Sequence, residues 1–148
     1  MNASEITLPP VHRTISEIII HCSATPEGRD VSAADIRLWH MRDRGFADIG
    51  YHYIVRLNGS IEPGRPLQKA GAHCLGHNSR SIGICYIGGL DTSGHPADTR
   101  TPQQRHSLRN LILRLKQTFP HAVIHGHRDF ATKACPCFDA TAEYASIP

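Results

Sequence analysis

The feature that most constrains this chain is Ile18-Ile19-Ile20, three adjacent β-branched residues between Glu17 and His21. A half-buried strand alternates apolar and polar side chains, so an unbroken apolar run predicts a strand covered on both faces within a sheet. His21, Cys22, Ser23, Ala24 and Thr25 follow at its C-terminal end, before Pro26 and Gly28 break the pattern. Side chains at that end of a central strand reach a crevice from a rigid backbone.

The remaining segments supply partners for such a strand. Ser32 with Asp35 forms an acidic capping box that starts a helix running to about Asp43, burying Ile36, Trp39 and His40, and Gly45 ends it. Tyr51 to Leu57 reads as a strand, and Asn58-Gly59 turns it into Ser60 to Glu62. Its two-residue period places Tyr51, Tyr53 and Val55 on one face and His52 and Ile54 on the other. Pro63 to Ser81 carries His73, Cys74, His77 and Asn78 without a period and is expected to be a long functional loop. Ser81 to Ile87 is a further strand closed by Gly88 and Gly89, and Asp91 to Arg100 is a second polar loop. Thr101, Pro102 and Gln104 cap a helix whose Leu108, Leu111, Ile112, Leu115 and Phe119 fall on one stripe. Pro120 stops it, Ala122 to His125 is a short strand, and Gly126 lets the backbone turn.

Met1 to Thr14 is polar and contains Pro9-Pro10, so an extended or mobile arm is expected there, with one compact domain over residues 15–148. A formal net charge of +3 with 20% charged residues excludes a disordered chain and a strongly basic nucleic-acid binder. Five cysteines, an odd number without framework spacing, argue for a reducing compartment rather than a disulfide scaffold. Met1 to Val11 lacks the pattern of a signal peptide, and no run approaches a membrane span, so synthesis in the cytoplasm without a signal peptide is expected.

The chemistry concentrates in His127-Arg-Asp-Phe-Ala-Thr-Lys-Ala-Cys135. Imidazole and thiolate are the ligands Zn²⁺ prefers, and a catalytic zinc takes three protein ligands with one open position. His127 and Cys135 are eight positions apart, enough for a loop to bring them to one point, and His21 is the candidate third ligand. Lys133 would then stand beside a developing oxyanion, and Tyr51 would hydrogen-bond the attacking water or the substrate carbonyl. Spacing leaves alternatives open. His125 could replace His127, since in a strand both would point the same way, and Cys135 with Cys137 could be paired ligands. Cys22, Cys74 and Cys85 read as small buried hydrophobes.

Four sequence blocks then occur in one order. His21-Cys-Ser-Ala-Thr25, Gly50-Tyr-His-Tyr53 before Asn58-Gly59, Gly71-Ala-His-Cys74 with Asn78 and Ser81-Ile-Gly83, and Lys133-Ala-Cys-Pro136 resemble the type 2 N-acetylmuramoyl-L-alanine amidases. That family includes the T-odd coliphage lysozyme and the peptidoglycan recognition proteins, and the resemblance covers roughly residues 15–139. It implies an α/β fold, a central mixed sheet of about five strands flanked by helices. It also implies zinc as cofactor on His21, His127 and Cys135, choosing His127 over His125, with Tyr51 and Lys133 catalytic and His73 and Asn78 lining the substrate groove. The implied reaction cleaves the amide between the lactyl group of N-acetylmuramic acid and L-alanine, in peptidoglycan or a soluble muropeptide. A monomer acting on the cell wall after release or export by another factor is expected, with neither nucleic acid nor stable membrane insertion. The coliphage member also inhibits its RNA polymerase, but the zinc motifs do not define that surface and the longer arm here departs from it. The chain ends at Pro148, so recognition is expected from the catalytic groove itself. A cytosolic muropeptide-recycling amidase and a non-catalytic peptidoglycan-binding module are the rival expectations; recycling enzymes tend to carry an aspartate ligand where this chain has Cys135.

Overall fold

A computed structural model describes residues 1–148. Seven strands occur in chain order: β1 (Glu17–Cys22), β2 (Thr25–Pro26), β3 (Tyr53–Val55), β4 (Ile61–Pro63), β5 (Ser81–Tyr86), β6 (Gly89–Leu90) and β7 (Val123–Gly126). Three helices accompany them, α1 (Ala33–Arg44), α2 (Pro102–Thr118) and α3 (Ala140–Glu143). Five strands form a mixed sheet in the order β4-β3-β5-β1-β7, and β2 pairs with β6 in a separate two-stranded ribbon. The fold is therefore an α/β single domain around a central mixed five-stranded sheet. No helix is long and apolar enough to cross a membrane.

The isoleucine run sits where its composition requires. β1 is hydrogen-bonded in parallel to β5 on one edge and to β7 on the other, and Ile18, Ile19 and Ile20 are all fully buried. Ile18, Ile20 and Cys22 face the larger core, where Ile82, Ile84 and Tyr86 meet Leu108, Leu111, Ile112 and Leu115 of α2. Each such leucine or isoleucine contributes roughly 1.5–3 kcal/mol by leaving water. On the opposite face a smaller core joins Ile54 and Ile87 to Val31, Ala33 and Ile36 of the α1 region.

Both helix starts follow from their caps. Ser32 Oγ accepts from Asp35 N at 3.1 Å and Thr101 Oγ1 accepts from Gln104 N at 3.0 Å, each answered by the reciprocal side-chain bond. Gln104 does more than cap, because its amide also donates to the Val55 and Ile87 carbonyls at 3.2 and 2.9 Å. It thereby ties the start of α2 to the ends of β3 and β5. Gly45, at φ 68°, ends α1 in the left-handed conformation that glycine adopts without steric cost.

Four features depart from the local reading. The strand expected over Tyr51 to Leu57 contracts to Tyr53–Val55, and Tyr51 packs against the smaller core with Ile54 instead of sharing the face of Tyr53 and Val55. The reason is that Gly50, Tyr51 and His52 bond through their carbonyls to Ala72, Arg65 and Gly64 of the following loop, so strict alternation stops at Tyr53. Gly89 does not close a strand but begins β6, paired with β2. The N-terminal arm is anchored and holds a 3-10 turn at Ala3–Glu5, with Ala3 and Ile6 in the larger core and Met1 O accepting from Ile61 N at 2.7 Å. Finally, α3 and its flanks complete that core through Phe138, Tyr144 and Ile147.

Arg100 holds this C-terminal closure. Its side chain is 1% exposed, bonds Asp98 at 2.9 Å and Glu143 at 2.6 Å, and lies 3.3 Å from the centroid of the Phe138 ring. Removing the guanidinium leaves Asp98 and Glu143, both only partly reached by water, to Arg105 alone, which bonds Asp98 at 3.0 Å and lies 3.9 Å from Glu143. Arg100→Met is expected to lower folding stability by less than the roughly 3 kcal/mol that an uncompensated buried charge costs, because Arg105 still pairs with both carboxylates. A shift in the urea midpoint without change of slope would report it, whereas an unshifted midpoint would show that the ion pairs are dispensable.

Candidate metal centre

Alternation along β1 sends Ile18, Ile20 and Cys22 to the larger core and leaves His21 on the α1 face, beside Cys85 of β5. β7 ends at Gly126, and His127 is the first residue of a single 3-10 turn, His127–Asp129. The backbone then loops back so that Arg128 N donates to Cys135 O at 2.8 Å, fixing Cys135 beside the turn. His21, His127 and Cys135 consequently place their ligand atoms within 4.8 Å of one another. His21 Nδ1 lies 3.9 Å from Cys135 Sγ, and the His21 and His127 rings are 4.6 Å apart.

The alternatives left open by spacing sit elsewhere. His125 pairs with Asp129 at 3.2 Å and packs on Phe130 at 4.7 Å, outside the trio. Strand geometry does not carry from His125 to His127 because the strand ends between them. Cys137 Sγ donates to Gly89 O at 3.3 Å and lies 4.0 Å from Cys22 Sγ, against the larger core. Cys135 and Cys137 therefore do not converge, and Cys22, Cys74 and Cys85 are buried.

The trio is chemically suited to a metal ion of the zinc type, with two borderline imidazoles and one soft thiol. Ligation needs neutral imidazole. Burial, followed by the charges of His73, His127 and Lys133, holds His21 well below the usual histidine range. Burial and then Lys133 lower His127 in the same direction.

These residues form one wall of a cleft of about 640 Å³, which Tyr51, His73, Asn78 and Lys133 also line. The Tyr51 ring is 5.1 Å from His21, and burial, reinforced by Cys85, Cys135 and Cys22, pushes its phenol well above the ordinary value. It is therefore a protonated donor at neutral pH. Lys133 is exposed at the cleft. His73 is nine-tenths buried, with Nδ1 2.8 Å from His21 Nε2 and Nε2 3.2 Å from Ser81 Oγ. Asn78 spends its side-chain oxygen on the loop, accepting from His73 N and Cys74 N at 2.9 and 3.0 Å.

Local reading missed His40, Arg44, Phe46 and Phe130, which also line the cleft. Phe130 is held by stacking on His77 at 3.8 Å, while His77 pairs with Glu17 at 2.9 Å. His40 lies on the buried stripe of α1 and so reads as core, while Arg44, Phe46 and Phe130 belong to no periodic stripe that would mark them. The one signal for Phe46 is its place just past the stop of α1.

The family described as N-acetylmuramoyl-L-alanine amidase matches residues 11–138. The endolysin of Klebsiella phage KP32 is 45% identical over 124 residues, which span 84% of this chain and 82% of that protein. The endolysin N-acetylmuramoyl-L-alanine amidase LysCS from Clostridium intestinale superposes with a TM-score of 0.71 at 28% identity, covering 92% of this chain and 82% of its own. A point mutant of Drosophila PGRP-LB in complex with tracheal cytotoxin superposes with a TM-score of 0.76 at 26% identity, covering 96% and 86%.

The buried histidines also shape acid stability. Burial pushes His40 and His52 down to about 4 and His73 down to about 3. The unfolded chain protonates each of them near pH ~6.5. Between there and the folded values the unfolded state therefore binds more protons, and stability falls as pH falls. The metal-free protein should show a folding stability, read from urea unfolding, that declines steadily from pH ~7 to ~5, by at most roughly 1 kcal/mol per pH unit for each histidine. A flat midpoint across that window would mean that these rings are not held neutral.

Proposed function

This chain belongs to the N-acetylmuramoyl-L-alanine amidase family, and we propose that it cleaves the amide between the lactyl group of N-acetylmuramic acid and L-alanine using zinc held by His21, His127 and Cys135. The observation that carries the metal assignment is the convergence of those three ligand atoms within 4.8 Å in the wall of the cleft. Zinc bound there supplies Lewis acidity, which activates water at neutral pH for attack on an amide carbonyl.

The chain's own residues divide the remaining work. The Cys135 thiolate contributes one negative charge against the two of the ion, so the centre stays electrophilic. Tyr51, kept protonated by burial, donates a hydrogen bond to the substrate carbonyl or to the attacking water. The Lys133 ammonium, exposed at the cleft, faces the negative charge that gathers on the carbonyl oxygen. His73 and Asn78 build the wall along which the substrate lies, and Phe46 and Phe130 add apolar surface to it.

Endolysin relatives support action on the cell wall, and the complex of PGRP-LB with tracheal cytotoxin supports a peptidoglycan or muropeptide ligand. A binding module without catalysis fits less well, because the three ligand atoms, Tyr51 and Lys133 all face one cleft. Cys135 in the third ligand position and the endolysin relatives favour wall lysis over muropeptide recycling.

Cys135→Ser is expected to abolish stoichiometric zinc binding and to lower clearing of purified peptidoglycan by at least ~100-fold with the fold retained. Tyr51→Phe should keep its zinc yet lose roughly 100- to 1,000-fold in rate, as when a transition-state hydrogen-bond donor is removed. Metal analysis, turbidity loss and mass spectrometry of the products, which should carry a new L-alanine amino terminus, check both. Full zinc content and clearing in Cys135→Ser would sink the metal assignment.

A further inference from the structure

His21 has two ring nitrogens, and only one can serve a metal. Nδ1 looks toward Cys135 Sγ at 3.9 Å, within the trio, while Nε2 looks away from it, to His73 Nδ1 at 2.8 Å. The far nitrogen of His73 meets Ser81 Oγ at 3.2 Å, so the three side chains form one hydrogen-bonded row. Every member is buried, His21 at 1% exposure and Ser81 at none.

The row is built into the backbone around it. Asn78 fixes the His73 and Cys74 amides, which sets where the ring enters. Its seat is cleared by two glycines of the sequence blocks. A Cβ at Gly83 would stand 2.6, 2.7 and 2.8 Å from Cδ2, Cγ and Nε2 of His73, and one at Gly71 would stand 2.6 Å from Cδ2. Neither contact is sterically open to a larger residue, so the ring is fitted against β5.

We infer that His73, backed by Ser81, is the positioning residue that selects the metal-binding tautomer of His21. His21 Nε2–H donates to His73 Nδ1, and His73 Nε2–H donates to Ser81 Oγ. That direction leaves the lone pair of His21 Nδ1 free on the side of His127 and Cys135. The reverse direction, with His73 Nδ1–H donating to His21 Nε2, occupies one nitrogen of His21 as acceptor and protonates the other. No lone pair would then remain for a metal. The inference rests on the zinc reading above and gives His73 a duty separate from contacting substrate.

Two measurements test it on the zinc-loaded chain. A long-range proton–nitrogen correlation spectrum of nitrogen-labelled protein should show the His21 proton on Nε2 and a metal-type shift on Nδ1; a proton on Nδ1 overturns the inference. Competition with a chelating dye should show zinc affinity weakened ~10- to 100-fold in His73→Leu, the usual loss when an outer partner of a ligand is removed. His73→Asn, whose side-chain oxygen can accept where Nδ1 did, should recover most of that affinity. Native affinity in a folded His73→Leu protein overturns the inference while leaving the zinc reading intact. Failure of the native chain to bind zinc removes both. If His73→Leu does not fold, the spectrum of the native protein still decides.

Discussion

Everything in this molecule is referred to β1, which is hydrogen-bonded along both edges and buried on both faces. Such a strand has no freedom of register. A slip of one residue would turn His21 into the larger core and expel Ile18 and Ile20 to the other face, exchanging apolar contact for a buried unpaired imidazole. The same pairing sets His21 opposite Cys85 and ends β7 opposite Ile20, which is what delivers the His127 turn to the neighbourhood of His21. The core thus positions the centre, and the chemistry depends on apolar packing several residues away.

Burial has opposite consequences for fold and centre. It withdraws His21 from water, which keeps the imidazole neutral and able to ligate, and it holds Tyr51 as a phenol. Four buried histidines, His21, His40, His52 and His73, are nevertheless a load on the fold, because each would gain a proton more readily once unfolded. Their polar atoms are satisfied locally. Gly50 N donates to His40, Gly83 N donates to His52, and His52 reaches Lys69 O at 2.8 Å. These bonds join the loops around the cleft to the sheet, so the groups that cost acid stability also make the cleft walls rigid.

Much of this was legible along the chain. The isoleucine run, both capping boxes, the Gly45 stop and the stripe of α2 are local rules, obeyed here because tertiary packing agrees with them. The candidate ligand types were legible as well, since His and Cys crowd into few positions between His127 and Cys135. Less legible were the segments whose partners are remote. The arm of Met1 to Thr14 reads as polar, yet Arg13 donates to Leu67 O at 2.9 Å and Ser81 O at 2.9 Å, and Ile6 enters the core. Arg100 reads as the end of a polar loop, yet it is the most deeply buried cation pair of the C-terminal closure.

The sequence by itself determined which elements form and which chemistry is available, because propensity, capping and hydrophobic period act over a few residues, and motif order restricts the family. Motif order already favoured His127 over His125; tertiary structure decided which nitrogen of His21 faces the trio and why Cys137 lies outside it. These are relations between atoms far apart in the chain, such as His21 and Cys135, separated by 114 positions. No local pattern encodes the direction of a ring or the end of a strand to within one residue. Only the register of β1 between its neighbours, together with the space cleared at Gly83, settles them.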